Sequence, residues 1–123
     1  MMKIESGRRP ATILIVEDVG WIRAGMKRSV ERYGHRAVAA EDDAEALALA
    51  GREPPELILT EEKLPTFGLL MARLREHPTL HAVPVVIINP DAEDGELYDG
   101  CILLTDYDHI SRVLISTPGP ANS

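Results

Sequence analysis

The chain has 123 residues, a formal net charge of -7, 45% hydrophobic residues and only 4% aromatics. That length suits one domain with a core of Ile, Leu, Val and Ala, and the acidic balance argues against a nucleic-acid backbone as principal ligand, because no basic stripe is available to displace counterions. The only cysteine, Cys101, lies in the apolar run "CILL", so no intrachain disulfide can form and a packed thiol in a reducing compartment is expected. The opening "MMKIESGRRP" has no apolar signal core, and no run approaches a membrane span. A cytoplasmic protein without a membrane partner is the expectation.

In chain order, "TILIV" (12–16) reads as a strand buried on both faces. Ile22, Met26, Val30 and Tyr33 then recur at helical spacing, and Gly34 is placed to cap that helix. "RAVAA" (36–40) is a weaker strand. Asp42 with Glu45 three residues on forms a capping-box pattern opening the helix "DAEALALAG", which Pro54 and Pro55 close. "ELILT" (56–60) is the third strand, followed by the loop "EEKLPTFG" and a helix around Leu69, Leu70, Leu74 and Arg75 that stops before Pro78. "VPVVII" (83–88) is the fourth strand. "NPDAEDGELYDG" leaves room for about two helical turns, interrupted by Gly95. "CILL" is the fifth strand and "DYDHISRVLI" a final short helix.

Strands alternating with helices across short loops predict an α/β fold: a flavodoxin-like, doubly wound, five-stranded parallel sheet, order 2-1-3-4-5, with helices on both faces and the fourth helix shortened. Residues 1–10 form a flexible leader, 11–115 the domain and 116–123 a Pro/Gly/Ser-rich disordered tail. In such sheets ligands sit at the carboxyl ends of the strands, where strand order reverses. Glu17 and Asp18 follow the first strand there, and Glu61 and Glu62 follow the third.

The segments "ILIVED", "AAEDDAEALALA", "PPELILTEEKLPTFG" and "VPVVIIN", in this order and spacing, resemble the receiver domains of bacterial two-component response regulators over residues 12–114. The resemblance implies an acidic pair holding Mg²⁺, here Glu17 and Asp18. It puts the phosphoacceptor position on Glu61, where the family has aspartate, and a metal-binding main-chain carbonyl on Lys63. The hydroxyl switch position falls on Asn89, and the family's lysine after the fifth strand falls on Asp106 if one residue is missing after Gly100. No lysine occurs after Lys63.

These departures bear directly on chemistry. Phosphoryl transfer rests on positioning and on neutralising the transferred oxygens. Glutamate adds one carbon–carbon bond, roughly 1.5 Å, and a misplacement of about 1 Å can cost on the order of 100-fold in rate. An acidic residue in place of lysine would oppose the incoming phosphate. "CILL" also lacks the family's aromatic switch. The pocket still calls for a cation, because clustered carboxylates raise one another's pKa. Mg²⁺ and the side chain of Lys63, folded back as an internal counterion, are both open.

Bland readings compete at several positions. Glu62 reads as solvated surface, and Glu17 and Asp18 as helix-start charges. His77 and His81 are four apart, but Pro78 breaks any helix between them, so they read as loop polar residues. His35 and His109 have no acidic or thiol companion at ligand spacing. Trp21 is either a partner anchor or local packing.

The expected function is an atypical receiver acting in signal transduction through protein–protein interaction, independent of ordinary aspartyl phosphorylation and without enzymatic activity. Two alternatives stay open: a conventional phosphorelay receiver modified on a nearby carboxylate such as Asp18, and a small Mg²⁺-dependent phosphatase. With no output segment after the last helix, the partner is expected to be a sensor kinase, another regulator or a second copy in a homodimer.

Overall fold

The computed structural model describes residues 10–110 and 113. Its elements are β1 (Thr12–Val16), α1 (Gly20–Arg32), β2 (Arg36–Ala40), α2 (Asp43–Arg52), β3 (Leu57–Glu61), α3 (Phe67–Glu76), β4 (Val85–Ile88), β5 (Leu97–Tyr98) and β6 (Cys101–Leu104), with short 3-10 turns at Leu80–Ala82 and Tyr107–Ile110. The sheet order is β2-β1-β3-β4-β6-β5. The pairings β1–β2, β1–β3, β3–β4 and β4–β6 are parallel, so β6 is the fifth parallel strand that "CILL" predicted. Among the described strands, only β5 runs antiparallel.

Alternation along the strands divides the core in two. Leu14, Val16, Ile58, Ile87 and Leu103 face one way and pack with Ala46 and Ala50 of α2 and Leu70, Met71 and Leu74 of α3. Ile13, Ile15, Leu57, Leu59, Val86, Ile88 and Leu104 face the other way, against Met26 and Val30 of α1 and Ile110. Period-two alternation sends successive side chains to opposite faces, and both faces are covered. That is why these strands read as unbroken apolar runs rather than alternating ones.

The capping pattern at α2 forms. Asp42 accepts a hydrogen bond from the Glu45 N–H at 2.9 Å, while Glu45 reaches back to the N–H of Glu41, also at 2.9 Å. Pro78 ends the third helical stretch as expected, and the histidines near it build the turn. His77 Nδ1 accepts from the N–H groups of Thr79 (3.2 Å) and Leu80 (3.1 Å). His81 Nδ1 lies 2.8 Å from the carbonyl of His77.

The segment expected to form a shortened fourth helix departs from that expectation. Among the described residues it holds no helix; it folds as a loop and then as the outer strand of a β5–β6 hairpin. Asp99 (φ 53°) and Gly100 (φ 83°) occupy the two turn positions, both left-handed, as a type I′ hairpin turn requires. Gly95 (φ 87°) opens a one-residue bulge. Its N–H donates to the Leu103 carbonyl at 2.9 Å, while Leu103 N–H donates to the carbonyl of Glu96 at 2.8 Å, the pattern of a glycine-initiated bulge.

The leader and tail expected at 1–10 and 116–123 lie outside the described residues except for Pro10, as does most of the helix expected after "DYDH". No described helix is long and apolar enough to cross a membrane.

Candidate functional site

Strand order reverses between β1 and β3, and three carboxylates meet there. Glu17 follows β1, Asp18 comes next, and Glu61 is the last residue of β3. Each offers an oxygen within 4.8 Å of the others. The register explains the convergence. Val16 pairs with Thr60, and the Thr60 hydroxyl donates to the Val16 carbonyl at 3.0 Å, so both strands release their chains at the same level.

The three differ in exposure: Glu17 is fully buried, Glu61 half-buried and Asp18 exposed. One Glu17 oxygen accepts a hydrogen bond from the Val19 N–H at 3.0 Å. The other, Oε1, is buried with no protein donor. Burial above all, and then the Glu61 carboxyl beside it, push the Glu17 pKa up from 4.5 to about 8, against the opposing pull of the Val19 N–H. A buried carboxylate facing other carboxylates needs a shared proton or a cation to be tolerated.

The side chain of Lys63 does not supply that cation. It is exposed, and among the described residues it forms no ion pair with the cluster, so the internal-counterion alternative finds no support in the geometry. The guanidinium of Arg23 is directed to main-chain oxygens, donating to the carbonyls of Glu17 (2.9 Å) and Asp18 (3.4 Å). It braces the loop from the first turn of α1 and leaves the carboxylates free. Three oxygen donors of graded exposure, one with an unmet buried acceptor, match what a hard divalent cation takes from protein. Sequence reasoning did not single out Arg23; its six-residue separation from Glu17 gave no helical or ligand-spacing signal.

The positions around the cluster make hydrogen bonds of their own. Asn89 follows β4, and its Oδ1 accepts from the Asp91 N–H at 2.9 Å, closing a turn with Pro90 in which Ala92 N–H donates to the Asn89 carbonyl at 3.1 Å. Its side-chain oxygen is thereby committed to its own loop.

Thr105 directly follows β6, and Asp106 comes next, just before the 3-10 turn, accepting from the Asp108 N–H at 2.9 Å. Thr105 is held by Asp94, whose Oδ1 accepts from its N–H (2.8 Å) and its hydroxyl (3.0 Å). Asp94 Oδ2 lies 2.7 Å from His109 Nδ1. His109 thus acquires an acidic companion fifteen positions away, which spacing along the chain could not reveal. Cys101 is buried, and burial raises its thiol pKa, consistent with a packed residue.

Among known proteins, no family model matches the chain. It is 30% identical over 88 residues to the protein PilH of Pseudomonas aeruginosa, covering 70% of this chain and 73% of PilH. It is 34% identical over 87 residues to the transcriptional regulatory protein YxdJ of Bacillus subtilis, where the match takes in 69% of this chain but only 36% of YxdJ. The chain therefore spans about a third of that relative. Among solved structures, the Mn²⁺-bound form of the response regulator Rcp1 superposes with a TM-score of 0.66 at 21% identity, over 88% of this chain and 96% of that one.

A flavodoxin-like sheet with acidic residues gathered at its switch point defines the class to which this molecule belongs. Within that class, the chain belongs to the receiver domains of two-component response regulators.

Proposed function

We propose that this receiver domain transmits signals by protein–protein interaction, without ordinary aspartyl phosphorylation and without catalysing a reaction of its own. The observation that carries this reading is Glu61 at the end of β3, where the family resemblance places the phosphoacceptor aspartate. Asn89, turned to its own loop, and Asp106, an acid where the resemblance places the family's lysine, support it: neither supplies the cation that would pair with a phosphoryl group.

Mg²⁺ would be held by Glu17, Asp18 and Glu61, with the main-chain carbonyl of Lys63 as a further oxygen. The Mn²⁺-bound neighbour and the buried, unmet Glu17 oxygen favour a divalent ion here. When bound, the ion would neutralise the cluster. The chain's own contribution is to fix the ligands, through the β1–β3 register and the Arg23 brace. The partner is a protein: a sensor kinase, another regulator or a second copy.

Incubation of the whole chain with Mg²⁺ and either acetyl phosphate or beryllofluoride tests the reading. Intact mass should show no phosphoryl addition, and amide spectra no saturable change beyond that produced by Mg²⁺. Acid-labile labelling would overturn it, and its abolition by Asp18→Asn would establish the conventional alternative, for which Asp18 is the exposed carboxylate of the cluster. Turnover of phosphate esters would instead establish the phosphatase.

A further inference from the structure

The sheet ends on β5, which pairs only with β6 among the described strands. Leu97 is 70% and Tyr98 64% exposed. Leu103 N–H bonds the Glu96 carbonyl, and Leu97 stands opposite Ile102 in the next register position. By the alternation of an antiparallel ladder, the N–H and C=O of Leu97 therefore point away from β6. This edge is fixed from several sides: the Gly95 bulge, the Asp99-Gly100 turn, the Asp94–Thr105 bonds and an Arg75–Asp99 ion pair.

Edges invite strand addition unless shortness, a bulge, charge, proline or a covering element blunts them; β5 is two residues long and follows the Gly95 bulge, so the outward pair on Leu97 is the single docking point it offers. Residues 95–98 contain no lysine or proline. Their surroundings are acidic throughout: residues 89–100 hold Asp91, Glu93, Asp94, Glu96 and Asp99 and no basic residue. His109 answers Asp94 and Arg75 answers Asp99, whereas Asp91, Glu93 and Glu96 form no ion pair among the described residues. A second copy would bring the same carboxylates against these, and like charges facing across strands are destabilising.

We propose that the outer edge of β5 receives an extended segment of a partner protein as an added strand, and that this segment is cationic with interspersed apolar residues. Main-chain bonds to Leu97 would give affinity, and Lys or Arg reaching the turn in which Glu96 Oε1 accepts from the Glu93 N–H at 3.1 Å would pair with these two carboxylates and give selectivity. The proposal rests on the interaction-module reading and names a surface and a partner chemistry for it. Its test involves no phosphorylation, so either can fail alone.

The test uses the whole chain and two blocked heptapeptides, one alternating Lys and Val, the other Glu and Val, titrated by amide spectra and anisotropy. The Lys peptide should bind at least about tenfold more tightly, with a preference that falls as salt rises, and should slow hydrogen exchange at Leu97. Leu97→Pro removes the outward N–H, at the cost of fixing φ there and restricting Glu96, and should weaken binding by about tenfold or more, with hydrogen exchange at the Gly95 and Leu103 amides still protected. The charge-reversed pair E93K/E96K should invert the peptide preference, which covers the case of a misfolded proline variant. Equal binding of the two peptides, or no effect of either variant, overturns the proposal. So does slow exchange at Leu97 in the free chain: with a dimer by sedimentation the edge belongs to a second copy, and with a monomer to the chain's own remaining residues.

Discussion

Tyr107 lies so close to Gly25 that a Cβ built on the glycine would stand 2.4 Å from the tyrosine hydroxyl. The contact joins the turn after β6 to the buried face of α1, and Ser29, one helical turn further on, donates to Asp108 at 2.7 Å beside it. Gly25→Ala must therefore displace the tyrosine. Overpacking of this kind costs about 1–3 kcal/mol, against about 1 kcal/mol gained from replacing a helical glycine, so the net loss read from urea unfolding should be at most about 2 kcal/mol. Combining it with Tyr107→Leu should cost clearly less than the sum of the two single changes, because the clash is shared.

Glu17 makes stability depend on pH in a defined direction. Its pKa is about 8 in the folded chain against 4.5 ordinarily, so between those values the folded state keeps a proton that the unfolded state has released. The contribution is full below about pH 4.5 and is lost as pH rises through about 8. In chelator, stability should fall across that window by at most about 1.4 kcal/mol per pH unit. Glu17→Gln keeps an oxygen for the Val19 N–H and should flatten the profile. Thermal melts at a series of pH values check this.

Divalent ions should act on the same cluster. Outer-shell partners alone are worth about 10–100-fold in metal affinity, so Glu61→Gln should weaken Mn²⁺ binding at least about tenfold, measured by calorimetry. Lys63→Ala, which leaves the main-chain carbonyl in place, should change it little. A large loss on Lys63→Ala would give the lysine side chain a part in the site.

Asp94 holds Thr105 and His109 together. Asp94→Ala leaves the partly buried Thr105 N–H without its acceptor and should cost about 1–3 kcal/mol. Asp94→Asn preserves an acceptor oxygen and should recover part of it. Amide exchange at Thr105 and Gly95 would report whether the loss is local.

The hairpin stands on two left-handed glycines, and around both a Cβ would meet nothing within 4 Å. Gly95→Ala and Gly100→Ala therefore test backbone conformation alone, and each should cost roughly 1–2 kcal/mol, measured by denaturant unfolding. Substitution at Gly51, which is helical and equally open, should instead be neutral or stabilising.

The apolar runs by themselves determined the parallel strands and the two-sided core, because a strand buried on both faces has no polar alternation to disguise it. Glu17, Asp18 and Glu61 were legible as a site for the same reason: strands of one parallel sheet end at a common edge, so residues just past them must meet. The hairpin in place of a fourth helix was partly legible. Asp99-Gly100 is a hairpin signal, but its β5 arm is two residues long and too short for periodicity to register. What only the tertiary structure decided were contacts between segments apart in the chain: Asp94 on Thr105 and His109, and Tyr107 on Gly25. Local propensity and spacing act over a few residues, whereas these pairings depend on how sheet twist and helix packing bring distant loops together. The burial that lifts Glu17 out of the ordinary carboxylate range is likewise a product of the assembled fold and of no single segment.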